Sequence, residues 1–151
     1  GQTMFKYATL LAAISIAVIG LFGCISAQAP APGPIAGQRI SMTVTAYCPC
    51  GKCCGWRRNW LGRPVYAYGP LEGKPKDVGV CADGSRVAVG TIAADTSVYA
   101  FGTEMYIPGY GYGAVHDRGS AIAGHDRIDI FFPTHDQAMA WGRRELTVTV
   151  F

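Results

Sequence analysis

Apolar and polar positions alternate along this chain in short runs separated by turn residues. Residues 39–47 (Arg-Ile-Ser-Met-Thr-Val-Thr-Ala-Tyr) change character at nearly every step, the period of a half-buried strand. Residues 85–94 read as one or two strands broken at Gly90, and residues 103–107 as another closed by Pro108 and Gly109. Strand-like runs follow at 113–117 and 127–132, and residues 145–151 supply a last alternating strand. Only residues 134–144 read as a helix. Thr134 can cap it, Asp136 suits its first turn, and Gly142 with Arg143 and Arg144 suits its end. Many short strands, frequent glycines and one helix predict a mainly β protein, a small barrel rather than a sandwich. No internal repeat stands out.

Composition changes this picture at the N-terminus. Half of the 151 residues are apolar, but much of that excess lies in an uncharged run at 7–25, with Lys6 upstream and Ala27-Gln28-Ala29 downstream. Residues 1–29 therefore read as a secretory signal peptide or, being nearly long enough to span a bilayer, as an N-terminal membrane anchor. Leu21-Phe22-Gly23-Cys24 also loosely matches a lipoprotein box, with bulky Phe22 where a small residue is usual. Each reading exports the domain to the cell envelope. Residues 30–38 form a Pro/Gly/Ala linker with nothing to bury. The folded unit is then expected at 39–151, a normal size for one domain. The formal net charge of +3 suits an acidic envelope polymer. It is too weak, and lacks a basic stripe interleaved with aromatics, to argue for nucleic acid.

Cys48, Cys50, Cys53 and Cys54 crowd seven residues, and Cys81 lies farther on, within a Cys-rich insertion at 48–86. Export makes disulfides the default for such thiols. A structural zinc held by three or four of them is the competing reading. Either would staple a long excursion, and no Cys/His/Asn pattern marks a catalytic thiol.

Three aspartates carry the candidate chemistry. Asp95, Asp117 and Asp129 each end or sit inside an apolar run, whereas Asp77, Asp83, Asp126 and Asp136 look like turn or surface residues. A carboxylate in strand sequence is costly to bury unless it is paired or hydrogen-bonded. Asp95 could bond nearby amides, and Asp117 could pair with Arg118 or Arg127. Asp129, flanked by Ile128, Ile130, Phe131 and Phe132, has no turn residue beside it. Desolvation and neighbouring carboxylates raise the pKa of such an acid, as a general acid requires. Glycosidic cleavage needs that group to protonate the leaving oxygen. Asp95-Thr96-Ser97 also resembles an aspartic-protease signature, but Asp117-Arg118-Gly119 is a poor second half. His116 and the aromatics Trp56, Trp60, Tyr66, Tyr68, Tyr106, Tyr110 and Tyr112 could contact sugar, though packing roles explain each individually.

The ordered series from Thr91-Ile92-Ala93-Ala94-Asp95-Thr96 through Phe101-Gly102-Thr103, Ile107-Pro108-Gly109, Asp117-Arg118-Gly119 and Arg127-Ile128-Asp129-Ile130-Phe131-Phe132 resembles the three-aspartate (3D) domain family, as do Trp141-Gly142-Arg143-Arg144 and the opening Thr43-Val44-Thr45-Ala46-Tyr47-Cys48. The resemblance implies a six-stranded double-psi β-barrel with one or two short helices, similar to the catalytic barrel of membrane-bound lytic transglycosylase A and to expansin-like modules. It implies that Asp129 is the catalytic acid of a peptidoglycan-cleaving lytic transglycosylase, with Asp117 and Asp95 assisting. It implies further that Thr96 and Arg118 bond substrate; Tyr110 is a stacking candidate. No cofactor is needed for that chemistry, and a monomer acting on peptidoglycan is expected. A non-catalytic wall-loosening module of the expansin type is the alternative. Ala100, Ser120 and Ala123 depart from the family pattern, the last where a Lys is common.

Overall fold

A computed structural model describes residues 37–151. The signal, anchor and lipoprotein readings, and most of the linker, lie outside the described residues. Among the described residues no helix is long and apolar enough to cross a membrane.

Eight strands and two short helices form, in chain order, β1 (Gln38–Tyr47), α1 (Gly51–Cys54), β2 (Trp56–Arg58), β3 (Pro64–Tyr66), β4 (Thr91–Ala93), β5 (Glu104–Ile107), β6 (Gly111–Asp117), β7 (Arg127–Phe131), α2 (His135–Trp141) and β8 (Arg144–Val150). Six of the strands close into a barrel in the order β1-β7-β4-β6-β5-β8, and β2 and β3 make a separate hairpin. Within the barrel β1 pairs with β7 and β4 with β6 in parallel. The other neighbours, β1 with β8, β4 with β7, β5 with β6 and β5 with β8, are antiparallel. The fold is thus the mainly β, closed six-stranded barrel with two short helices that the sequence pattern and the resemblance led us to expect.

Strand alternation fills the interior. Met42 and Val44 of β1, Ile92 of β4, Met105 and Ile107 of β5, Val115 of β6, Ile128 and Ile130 of β7 and Val148 of β8 are fully buried in one cluster. Closure removes the strand edges that an open six-stranded sheet would leave unpaired. Gly113 is required where β6 passes close to the turn before β4, because a Cβ there would press on the Gly90 carbonyl and Ile92.

The helix at the end of the chain is shorter than the sequence suggests. It stops at Trp141, and Arg144 already belongs to β8. Its N-terminus is a capping box: the Thr134 hydroxyl accepts from the Gln137 amide while the Gln137 side chain accepts from Thr134 N–H. Ala138 and Trp141, three apart, face the barrel, and Trp141 Nε1 donates to the Val44 carbonyl at 3.3 Å. Residues 85–90 form no ladder strand; the run collapses to the three residues of β4. Two elements went unexpected, α1 and the β2–β3 hairpin, both inside the Cys-rich insertion.

Thr134→Ala removes one half of the capping box and is expected to lower the free energy of unfolding by about 1 kcal/mol. Urea denaturation of the variant against the parent measures this, with Thr134→Ser expected to avoid most of the loss.

Candidate functional site

Strand register decides which side chains meet. On β7, Ile128 and Ile130 point into the barrel, so Asp129 and Phe131 point to the opposite face. The parallel pairing with β1 then sets Thr45 beside Asp129 and Tyr47 beside Phe131. On the other side, antiparallel β4 sets Ala93 beside Asp129. Ala93 is also the β4 partner of Asp117 across the parallel β4–β6 pair. That second pairing depends on a bulge. Ile92 partners Val115, but the register slips before Ala93, so Asp117 rather than His116 stands opposite it. One small residue is thereby flanked by two carboxyl-bearing strands.

Tyr47, Ala93 and Phe131 make a second buried apolar cluster outside the barrel interior, with Cys54 and Val87 against it. Tyr47 and Phe131 meet edge to face with centroids 5.6 Å apart. This cluster floors a cleft of about 220 Å³ whose lining includes Asp117, Asp129, Arg118, Trp56 and Lys76. The Cys-rich insertion supplies much of the remaining wall, from Pro49 to Trp56 and from Lys76 to Val80.

Electrostatics separate the three aspartates. Asp129 is half-buried, and burial pushes its carboxyl up to about 6. The hydroxyl of Thr45, donating at 3.0 Å, pulls the other way, and the Asp117 charge adds to the rise. The desolvating surface is not the pair of isoleucines adjacent in sequence, which face the interior. It is the Tyr47–Ala93–Phe131 floor and the cleft around it. Asp117 Oδ1 accepts from the amides of Ala82 at 3.1 Å and Arg118 at 2.9 Å, and Tyr47 hydroxyl donates to Oδ2 at 3.4 Å. Burial, then the Asp117 charge, raises the Tyr47 phenol so that it stays a neutral donor. Neither Arg118 nor Arg127 pairs with Asp117: Arg127 donates to the Ala121 carbonyl at 3.0 Å, and the Arg118 guanidinium lies over the Phe101 ring at 5.2 Å.

Asp95 is elsewhere. It lines an adjoining shallow depression with Thr96 and the loop that begins at Arg118. Its Oδ1 accepts from Ser97 hydroxyl at 2.6 Å and Ser97 amide at 3.0 Å, and its Oδ2 from Gly124 amide at 2.8 Å. These bonds, the Ser97 hydroxyl first, hold its carboxyl below the usual range. The structure therefore brings Asp117, Asp129 and Arg118 to one cleft and leaves Asp95 and Thr96 beside it. Tyr110 does not line the cleft. It packs against the core, and its hydroxyl accepts from Gly90 amide at 2.8 Å and donates to the Phe131 carbonyl at 2.9 Å. Of the other aromatics singled out in the sequence, Trp56 alone lines the cleft. His116 turns to Asp83, with Nδ1 2.7 Å from Oδ2.

Sequence reasoning missed Thr45, Tyr47 and Lys76. The alternation in β1 places Thr45 and Tyr47 on its polar face, but only the parallel register brings them to Asp129. No local signal marks Lys76. It also missed His135. The Nδ1 of this residue lies 3.8, 3.6 and 3.5 Å from the sulfurs of Cys48, Cys50 and Cys53. These four side chains form a group that could hold a metal ion. All five described cysteines are unbridged. Cys54 and Cys81 stand apart from the group: Cys54 packs on the cleft floor, where burial raises its thiol to about 11, and Cys81 is buried.

A closed six-stranded barrel with two carboxylates lining one lateral cleft defines a class of small β-barrel domains. Comparison with known proteins adds to this: residues 90–151 match the model of the 3D domain family. Two relatives from Bacillus subtilis (strain 168) share 39% identity over 59 residues, which is 39% of this chain. They are named "Putative cell wall shaping protein YabE" and "Cell wall-binding protein YocH", and the matched stretch spans 14% and 20% of their respective lengths. The chain thus spans well under two thirds of either relative.

The raised carboxyl of Asp129 has a thermodynamic signature. The folded chain holds the Asp129 proton up to about pH 6, whereas an ordinary aspartate releases it near 3.8. Between those values the native state binds more protons than the unfolded state, so this group makes stability fall as pH rises. Asp129→Asn removes the buried charge and is expected to raise Tm at pH 7.5, with the gain vanishing near pH 4. Thermal melts of both proteins across that range provide the check, and an unchanged difference at the two pH values would contradict the assignment.

Proposed function

We propose that this chain acts at the cell envelope on peptidoglycan and cleaves its glycan strands as a lytic transglycosylase. The observation that carries the reading is Asp129: a carboxyl on an apolar floor, held to about 6, in an open cleft beside a second carboxyl. Such a group is protonated often enough near neutral pH to donate, and its conjugate base is strong enough to accept. The relatives' names, one a shaping and the other a binding protein of the cell wall, support the envelope setting and an exported protein.

Asp129 first gives its proton to the glycosidic oxygen as the bond to C1 breaks and positive charge develops on the sugar. The carboxylate left behind takes the proton of the sugar's own C6 hydroxyl. That oxygen bonds to C1, a 1,6-anhydro ring closes, and Asp129 is protonated again. Thr45, donating to Oδ1 at 3.0 Å, orients the carboxyl throughout. Asp117 places negative charge where the oxocarbenium forms, and Tyr47 and two backbone amides fix its position. Lys76 and Arg118, both in the cleft wall, supply cations for the acidic peptide stem, with Lys76 serving where Ala123 lacks the family's common Lys. Asp95 ties the Gly124 amide at 2.8 Å and so holds the loop carrying Arg118. No cofactor enters this chemistry.

The name of the second relative favours a second reading, a wall-binding module without turnover. Incubating the full chain with peptidoglycan and analysing soluble products by mass spectrometry distinguishes the two. Anhydro-muropeptides are expected; reducing ends would mean hydrolysis, and retention on the sacculus without release would mean binding alone. Asp129→Asn is expected to lower turnover by about 10²-fold or more while preserving binding. The pH profile is expected to fall above about 6, where the acid loses its proton.

A further inference from the structure

The geometry points to a structural zinc site formed by Cys48, Cys50, Cys53 and His135, one ion per chain, that pins the start of α2 to the end of β1. The four ligand atoms lie within 4.8 Å of one another. Zinc with thiolate at about 2.3 Å and imidazole nitrogen at about 2.0–2.1 Å gives a tetrahedron with S–S edges of about 3.8 Å and S–N edges of about 3.5 Å. The Cys48–Cys53 sulfurs stand 3.6 Å apart, and the three S–N distances run from 3.5 to 3.8 Å. These are the edges of such a tetrahedron. A disulfide would need sulfurs at about 2.05 Å and would leave the third thiol and the histidine without a shared purpose.

The surroundings fit a thiolate cluster. Backbone N–H groups of Lys52 and Cys53 donate toward the Cys50 sulfur, and that of Cys50 toward Cys48. Amides aimed at sulfur are the outer-shell support that metal-bound thiolates use. Three thiolates and one divalent ion leave a single negative charge, and Lys52 shares a surface depression with Cys50 and His135. The loop that carries the ligands is tightly made. A Cβ on Gly51 would collide with the Trp56 carbonyl, and Trp56 Nε1 donates to the Pro49 carbonyl at 2.9 Å. Imidazole contributes Nδ1, from the first residue of α2.

The site also bears on the cleft without depending on what the cleft does. Pro49, Cys53, Cys54 and Trp56 form part of the wall around Asp117 and Asp129. Anchoring Cys48, Cys50 and Cys53 to His135 fixes that wall against β1 and α2. Cys54 and Cys81 take no part.

Elemental analysis of the full chain, purified under reductant with zinc in the medium, is expected to give about one zinc per chain. X-ray absorption at the zinc edge is expected to show three sulfurs and one nitrogen. Cys50→Ser and His135→Ala should each lose most of the metal, while Cys54→Ser keeps it. A ligand variant could unfold, so the parent chain is also stripped with chelator and titrated with Co²⁺, which should produce the intense visible bands of tetrahedral thiolate coordination. Zinc-free protein with a Cys48–Cys53 disulfide, full zinc retention in both ligand variants, or only weak octahedral Co²⁺ absorption would each overturn the site.

Discussion

Strand β4 contributes only Thr91, Ile92 and Ala93, all buried, yet the arrangement of the cleft depends on how it is bracketed. It runs antiparallel to β7 and parallel to β6, and Ala93 is the partner of Asp129 on one side and Asp117 on the other. A larger side chain at Ala93 would stand between the two carboxyls. Without the slip in register after Ile92, β6 would present His116 at that position. Closure of the barrel fixes both neighbours of β4, so the spacing of the acids is set by the ladder and not by loop conformation. Sites built on paired strands hold their geometry more tightly than sites on loops.

The two sides of these strands divide the labour. Inward positions, among them Ile92, Val115, Ile128 and Ile130, are fully buried and hold the barrel together. Outward positions carry Asp129 and the aromatic floor of Tyr47 and Phe131. A carboxyl placed there is desolvated from one side and open to a ligand from the other. That is why Asp129 rises while Asp95, held by hydrogen bonds from Ser97 and Gly124, falls. Asp95 bonds Ser97 and Gly124 in a depression beside the cleft, and three aspartates of similar sequence setting thus stand in unlike surroundings.

The insertion between β1 and β4 adds to this frame in two places. It walls the cleft with Trp56 and Lys76, and it gathers three sulfurs around a histidine from α2. The amide of Ala82, also from the insertion, reaches Asp117 Oδ1 at 3.1 Å. Residues far from the barrel ladder in sequence thereby complete the surroundings of both acids.

Much of the barrel was legible from the chain itself. Alternation marked β1, β5, β6, β7 and β8, the capping residue Thr134 marked α2, and the apolar runs around Asp117 and Asp129 marked the strands that carry them, because period and turn chemistry are local properties. The residue proposed as the acid was also legible, but the reason was not. Ile128 and Ile130 surround Asp129 in sequence, and a period of two sends both to the opposite face; its actual surroundings come from β1 and β4 through long-range pairing. The same holds for Tyr110, whose aromatic ring looked free for sugar until packing against the core claimed it. His135 gave no sign of joining Cys48, Cys50 and Cys53, since more than eighty residues separate it from them. Local periodicity was enough to mark which segments become strands and which carboxyls end or sit inside them. Which face each residue shares, and with whom, follows from the assembled barrel, because parallel register and a single bulge join side chains that no local pattern connects.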